Sequence, residues 1–472
     1  MAQSASPSVV IAGGSGFVGR ALGQALHEAG GVRVIGLSRR AQPPGDGFDA
    51  WRAADLFSLI DAERALEEAS VAVYLVHSMM PSAALSQGRF EDLDLICADN
   101  FARAAKKTGV SRIIYLGGLV PPGPLALSAH LASRLEVERA LGGYGVPVTT
   151  LRAGLVVGAG GSSFDMLLKL VQRLPAMICP AWTATRTQPI ALADVVALLR
   201  YVVLTPTTSG RIYDVGGPDV MTYREMMKTT SEVLGLTRRF VTVPFFTPQL
   251  STLWVTLVTG ASRELVAPLV ESLRHEMVAK DRTLQEEAGV PGTPFRAALA
   301  DAIGSAAHPA PPLARRPPTE QGSAARRVRS VQRLPLPPGR SATWVSEEYF
   351  RWLARAFSPW LRVDLSESSD RARIQLPGLG VLLLELTLSR ARSTVDRPLL
   401  YITGGVLSRD DGRGRLELRE VRGAGVLLAA VHDFIPRLPW FVYRRTQAVA
   451  HLAVMWRFGA YLARLAPAAG AG

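Results

Sequence analysis

"VVIAGGSGFVGRAL", residues 9–22, decides how the rest of the chain is read. A β-branched and aliphatic run ends at Ala12. Gly13, Gly16 and Gly19 follow, and apolar residues then resume at helical spacing. The first glycine permits a tight turn, the second lets the backbone approach a bound group closely, and the third lets a helix pack against the strand. A helix that starts here aims its free N–H groups and positive dipole end into the loop, so the expected occupant is an anion such as a pyrophosphate. A merely tight turn would have little use for three glycines, because they cost backbone entropy.

Working outward, "VRVIGLS" (32–38), "VAVYLVHS" (71–78), "RIIYLGG" (112–118) and "VPVTTLRAG" (146–154) read as strands. Helical patterns such as "LICADNFARAAKKTG" (95–109) separate them. This alternation predicts an α/β fold: a Rossmann-type, doubly wound parallel sheet over residues 1–304, with its ligand crevice at the carboxyl ends of the strands. Five prolines in "SAAHPAPPLARRPPTEQGSAARR" make 305–327 a linker. Residues 328–472 then run helix, several strand-like pieces and a long closing helix, which predicts a smaller α+β domain. If that domain holds a cavity, "VLLLELTL" (381–388) and "VLLAAVHDF" (426–434) would line it with aliphatic groups, suiting an apolar ligand.

The formal charge of +13 raises the question of nucleic acid. Only five of the 53 basic residues are Lys, and the Arg are scattered through every segment, so no nucleic-acid partner is expected. Cys97 and Cys179 have no metal-ligand spacing and cannot form a disulfide framework. A cytoplasmic setting without a signal peptide is the expectation. The apolar run 243–261 is broken by Pro248, Gln249 and several Thr, short of the roughly 20 apolar residues of a spanning helix. Peripheral membrane contact stays open.

Within the loop, Gly13, Ser15, Gly16, Phe17, Val18 and Gly19 are the expected cofactor contacts. The second strand ends in Ser38, Arg39 and Arg40, where an NAD-preferring site places a carboxylate about 20 residues after the glycines. An Arg fork and a hydroxyl suit a 2′-phosphate, so NADP(H) is favoured over NAD(H). Asp55 and Leu56 suit the adenine rim, and Val76, His77 and Ser78 end the next strand near the ribose or nicotinamide.

"IAGGSGFVG" (11–19), "LRAGLVVG" (151–158) and "TQPIALADVVALL" (187–199) resemble the short-chain dehydrogenase/reductase superfamily in its extended and atypical branches, including NmrA-like and epimerase-like members. "SAHLASRLEVERAL" (128–141), "YITGGVLS" (401–408), "IPRLPWFVYRRTQAVAH" (435–451) and "MWRFGAYLARL" (455–465) extend the likeness. They resemble a bacterial family of NAD(P)H-binding proteins with a fused C-terminal domain of unknown function, similar to the START/SRPBCC helix-grip fold. The resemblance implies a catalytic Ser, Tyr and Lys. Here Gly117 and Gly118 stand in the Ser region, and His130 and Arg134 hold the Tyr-x-x-x-Lys positions.

Four residues apart on a helix, His130 and Arg134 share a face. Arg134 can hold a ribose, and beside it His130 is expected to be mostly neutral, able to serve as base or hydrogen-bond donor. The competing reading makes them structural, with Arg134 paired to Glu138. Three functions follow: an oxidoreductase for an unidentified, apolar small molecule; a non-enzymatic NADP(H) sensor of the NmrA-like type; or a lipid or quinone carrier.

Overall fold

The N-terminal β-branched runs pair into one seven-stranded sheet in which every neighbour is parallel. In this computed structural model the described residues are 6–40, 42–77, 85–123, 126–243, 248–260, 262–307, 327–366, 368, 370–409 and 412–465. Ser78 and most of the proposed linker, 308–326, lie outside them. The chain divides into two units, Met1–Met79 with Cys97–Arg315, and Met80–Ile96 with Arg316–Gly472.

Unit 1 begins with β1 (Ser8–Ala12), α1 (Phe17–Ala29), β2 (Arg33–Ser38), β3 (Ala50–Ala53), α2 (Leu59–Ala65) and β4 (Val71–Tyr74). After β5 (Leu85–Gln87) come α3 (Phe90–Thr108), β6 (Arg112–Gly118), α4 (Ala129–Gly142), β7 (Val148–Ala153) and α5 (Ser162–Arg173). Then follow α6 (Leu192–Leu204), the strand Ile212–Val215, α7 (Tyr223–Val233), α8 (Pro248–Thr259) and α9 (Arg263–Ser272). The sheet order is 212–215, β7, β6, β4, β1, β2, β3. Strand order therefore reverses between β1 and β4, which opens the crevice where doubly wound sheets bind ligands.

Ala12 lies opposite Leu37 and Tyr74, and Tyr74 opposite Tyr115, so the loops after β1, β2, β4 and β6 leave the sheet along one edge. Val9, Ile11, Val73 and Ile114 are buried in one apolar cluster with Leu22 and Leu26 of α1 and Leu199 of α6. Val10, Tyr74 and Tyr115 are buried too, and the Tyr74 ring meets Phe101 of α3 at 5.0 Å between centroids. A sheet covered on both faces explains why these strands read as continuous apolar runs.

Unit 2 carries an eight-stranded sheet in the order 362–365, 371–376, 381–388, 399–404, 415–421, 426–434, 328–334, 85–87. All its pairs are antiparallel except the last, where β5 runs parallel to Val328–Leu334. The strand Leu85–Gln87, which the sequence reading kept within 1–304, thus supplies an edge to the second unit. The helix Ala342–Ala356, capped by Ser341 Oγ accepting from Trp344 N at 3.2 Å, and the helix Gln447–Leu465 bury Trp352, Leu353, Phe458 and Leu462 in a cluster with Leu416, Leu427 and Ala429. The Phe458 ring lies 5.2 Å from Trp352 and 5.1 Å from Tyr349, and burial pushes the Tyr349 phenol up to about 12. Most of the aliphatic residues on the strands expected to line a cavity pack on this aromatic cluster. A cavity of about 130 Å³ in unit 2 is lined by Leu388 of that strand set and Phe350 together with the polar Ser346, Glu347, Arg351 and Asp370.

The strands 415–421 and 426–434 also carry a buried charge cluster. Glu417 accepts from Arg397 Nε at 2.7 Å and Nη2 at 3.1 Å and from Arg419 Nε at 2.5 Å, and His432 Nε2 lies 3.4 Å from it. Burial, with Arg415 nearby, lowers the His432 pKa to about 4, while Arg419 and Arg397 hold the Glu417 carboxyl well below its usual range against the opposing effect of burial. The imidazole is therefore neutral in the fold, whereas the unfolded chain takes up a proton below about pH 6.5. Between that pH and about 4 the unfolded state binds more protons, so this contribution to stability falls as the pH drops. Replacing His432 with Gln removes the titration. The stability difference between the two proteins should shift by about 2 kcal/mol between pH 7 and pH 5 in denaturant unfolding of the full chain; a pH-independent difference would contradict this assignment.

Candidate functional site

Gly13 follows the last residue of β1 with φ at +86°, a conformation that favours glycine, and a Cβ there would meet the Leu75 carbonyl at 3.1 Å. Gly16 N donates to Gly13 O at 2.9 Å and closes the turn. A Cβ at Gly19 would stand 2.2 Å from Gly13 O, closer than atoms can approach, so the helix–loop contact requires glycine. A Cβ at Gly16 would meet only Gly13 O, at 3.0 Å, and both Gly16 and Ser15 are exposed. Gly16 caps α1, whose first turn has no acidic residue, and the first N–H groups of a helix have no intrahelical partner. A bare cradle with unopposed N–H dipoles fits a dinucleotide pyrophosphate. The Phe17 ring packs under Gly158 and Gly161, where a Cβ would lie 2.9 and 3.1 Å from it.

On the same edge, Ser38 Oγ bonds to the Arg40 backbone, and the Arg39 and Arg40 side chains are exposed. Asp55 Oδ1 accepts from Phe57 N at 3.2 Å and shapes the turn before α2, whereas Asn100 Nδ2 holds the Leu56 carbonyl at 2.8 Å. Val76 and His77 follow β4, directly after the Leu75 that touches Gly13.

His130 is in the first turn of α4. Ser128 caps this helix by accepting from Leu131 N at 3.3 Å, and its Oγ lies 2.8 Å from Ser272 Oγ at the end of α9. The His77 and His130 rings lie 5.1 Å apart. Gly13, Leu75, His77 and His130 therefore form a continuous path from the phosphate loop to α4. Arg134 donates to the Leu116 carbonyl, and its guanidinium lies 5.1 Å from the Tyr115 ring centroid, while Tyr115 OH donates to Arg134 O at 3.0 Å. Glu138 is bound by both Arg152 Nε at 2.9 Å and Nη2 at 2.6 Å, which overturns its pairing with Arg134. The guanidinium thus ties α4 to the end of β6, next to Gly117 and Gly118.

His130 borders a cavity of about 200 Å³ inside unit 1. Its walls come from α5, α7, α8 and α9 and include Met166, Trp182, Tyr223, Met226 and Met277. Among the described residues, no Asp, Glu, Lys or Arg side chain lines it. Burial pushes the Tyr223 phenol up to about 12, leaving it a neutral hydrogen-bond donor. The apolar run 243–261 reads from the sequence as a buried helix or a pocket wall, and Val255 of α8 lies in this lining; the part not foreseen is 223–227, whose apolar, Met-rich helical spacing an ordinary core shares.

Residues 9–216 match the NAD dependent epimerase/dehydratase family. The chain is 31% identical over 147 residues to the auxiliary protein GraX of Staphylococcus aureus, covering 30% of this chain and 43% of that protein's length. It is 26% identical to dTDP-6-deoxy-L-talose 4-dehydrogenase (NAD(P)(+)) of Kitasatospora kifunensis over 51% of this chain and 84% of that one. In fold it is similar to a nucleoside-diphosphate-sugar epimerase from Staphylococcus aureus, with TM-score 0.51 and 17% identity, covering 62% of this chain and 99% of the other. The family match, strand order and glycine loop make unit 1 a Rossmann domain for a nicotinamide dinucleotide, NADP(H) or NAD(H). Among the described residues, no group of His, Cys, Asp and Glu could hold a metal ion, and no helix is long and apolar enough to cross a membrane.

Because the Gly19 contact leaves no room for a methyl group, Gly19→Ala must displace the phosphate loop. NADPH affinity should fall by roughly tenfold or more, about 1.4 kcal/mol, in a fluorescence titration. Undiminished affinity would place the dinucleotide elsewhere.

Proposed function

We infer that this chain is an NADP(H)-dependent oxidoreductase acting on a small apolar molecule held in the unit 1 cavity. The observation that carries the reading is the uncharged, Met- and aromatic-rich wall bordered by His130. A nucleotide-sugar substrate would need cations for its diphosphate, and the described lining has none. An apolar carbonyl compound or quinone suits such a wall, since its aliphatic or aromatic body is desolvated while one polar atom keeps a partner.

The backbone N–H groups of the 13–19 loop hold the pyrophosphate, with Ser15 and Val18 beside it. Ser38, Arg39 and Arg40 bind the 2′-phosphate and set the preference for NADP(H). Asp55 and Leu56 border the adenine, and Val76 and His77 face the nicotinamide half. When bound, the cofactor supplies or accepts the hydride. His130 exchanges a proton or hydrogen bond with the substrate oxygen, and the apolar wall excludes water around it. Arg134 acts as a positioning residue through its hold on Leu116, keeping α4 and its histidine at the strand end.

A second reading, the NADP(H) sensor, is favoured by Gly117 and Gly118 in the region where the resembled reductases carry a Ser. Incubation with NADPH and a panel of apolar quinones, aldehydes and enones separates the two. The oxidoreductase reading expects substrate-dependent NADPH consumption, with His130→Phe lowering kcat by roughly 10²–10⁴ while NADPH affinity is kept. Tight NADPH binding with no turnover across the panel would overturn it in favour of the sensor.

A further inference from the structure

The closing helix of unit 2, Gln447–Leu465, has apolar residues on two sides. At 100° per residue, Ala448, Met455, Phe458 and Leu462 form its buried side. A second apolar side, adjoining the buried one, carries Val449, Leu452, Ala453 and Trp456, all exposed, with Trp456 at 76%. Phe441, on the short helix Trp440–Arg445 just before it, is 65% exposed. Isolated exposed apolar residues are ordinary, but a stripe of them along one helix that includes a Trp, preceded by an exposed Phe, marks a contact surface.

Charge identifies the partner. Residues 435–465 contain Arg437, Arg444, Arg445, Arg457 and Arg464 and no Asp or Glu. All five are exposed, and none forms an ion pair among the described residues. Elsewhere in unit 2, Arg351, Arg362, Arg390 and Arg422 each pair with a neighbouring carboxylate. A symmetric contact with a second copy would bring two such cationic patches together, which disfavours that occupant. Aliphatic residues between the aromatics suit acyl chains better than stacked bases.

We propose that Trp440–Leu465 is a peripheral membrane-binding element that lies in the surface of an anionic bilayer. Phe441, Val449, Leu452 and Trp456 enter the boundary between headgroups and acyl chains, and Arg444, Arg445, Arg457 and Arg464, with Arg437 just before the element, meet lipid phosphates. The element lies on the membrane without spanning it. The proposal is independent of the redox reading, because it uses no residue of the dinucleotide site.

The test is co-sedimentation of the full chain with vesicles of phosphatidylglycerol and phosphatidylcholine, against vesicles of phosphatidylcholine alone. Partitioning should favour the anionic vesicles by about tenfold or more and weaken strongly at about 1 M salt, where the screening length falls to roughly 3 Å. The double variant Leu452→Glu, Trp456→Glu changes only exposed side chains, so it should keep the wild-type circular dichroism while losing about tenfold or more of the partitioning. Equal binding to both vesicle types, undiminished binding by the variant, or a solution dimer that the variant dissociates would overturn the proposal. Displacement from the vesicles by a short duplex DNA at stoichiometric concentration would overturn it in favour of nucleic acid.

Discussion

The site in unit 1 depends on one close approach, Gly19 of α1 against the carbonyl of Gly13, where even a methyl group would sit at 2.2 Å. That contact brings the helix start against the end of β1 and leaves its free N–H groups facing the loop. The neighbouring backbone depends on it in turn: Gly13 meets Leu75 at the end of β4, so the phosphate cradle and the residues leading to His77 are held at one edge. Parallel pairing supplies the rest of the frame, because it delivers every strand's carboxyl end to the same side.

Beyond the cradle, polar and apolar functions are separated. Cations are exposed after β2, where a phosphate can reach them, while the cavity bordered by His130 is walled by Met, Leu, Val and aromatic side chains. Arg134, the cation nearest to that histidine in sequence, has its guanidinium engaged by Leu116 and the face of Tyr115. The altered pair in "SAHLASR" thus separates into a histidine at the cavity and an arginine that fastens the helix. In unit 2 the helices pack rings against the sheet, and its buried Glu417 is matched by two arginines.

Much of unit 1 was legible because its signals are local. Glycine spacing, β-branched runs and helical periodicity each act within a few residues, and they led to the parallel sheet and the edge that carries the site. Long-range pairing was not legible. Nothing in residues 85–87 announces an edge strand beside Val328–Leu334, and Glu138 looked like the partner of Arg134 because helical spacing shows i+4 neighbours but not Arg152 on β7. The Met-rich part of the cavity wall was hidden for another reason. Met226 and its neighbours have the spacing of any buried helix face, and "VLLAAVHDF" reads alike whether its aliphatic side chains line a cavity or pack on Trp352 and Phe458.

The most direct measurement is a crystal structure of the full chain grown with NADP⁺ and an apolar substrate analogue. The account requires the pyrophosphate on the 13–19 backbone, the 2′-phosphate at Arg39 and Arg40, and the nicotinamide ring opening onto the cavity beside His130. A ring turned away from His130, or an analogue bound outside the Met-lined cavity, would contradict it.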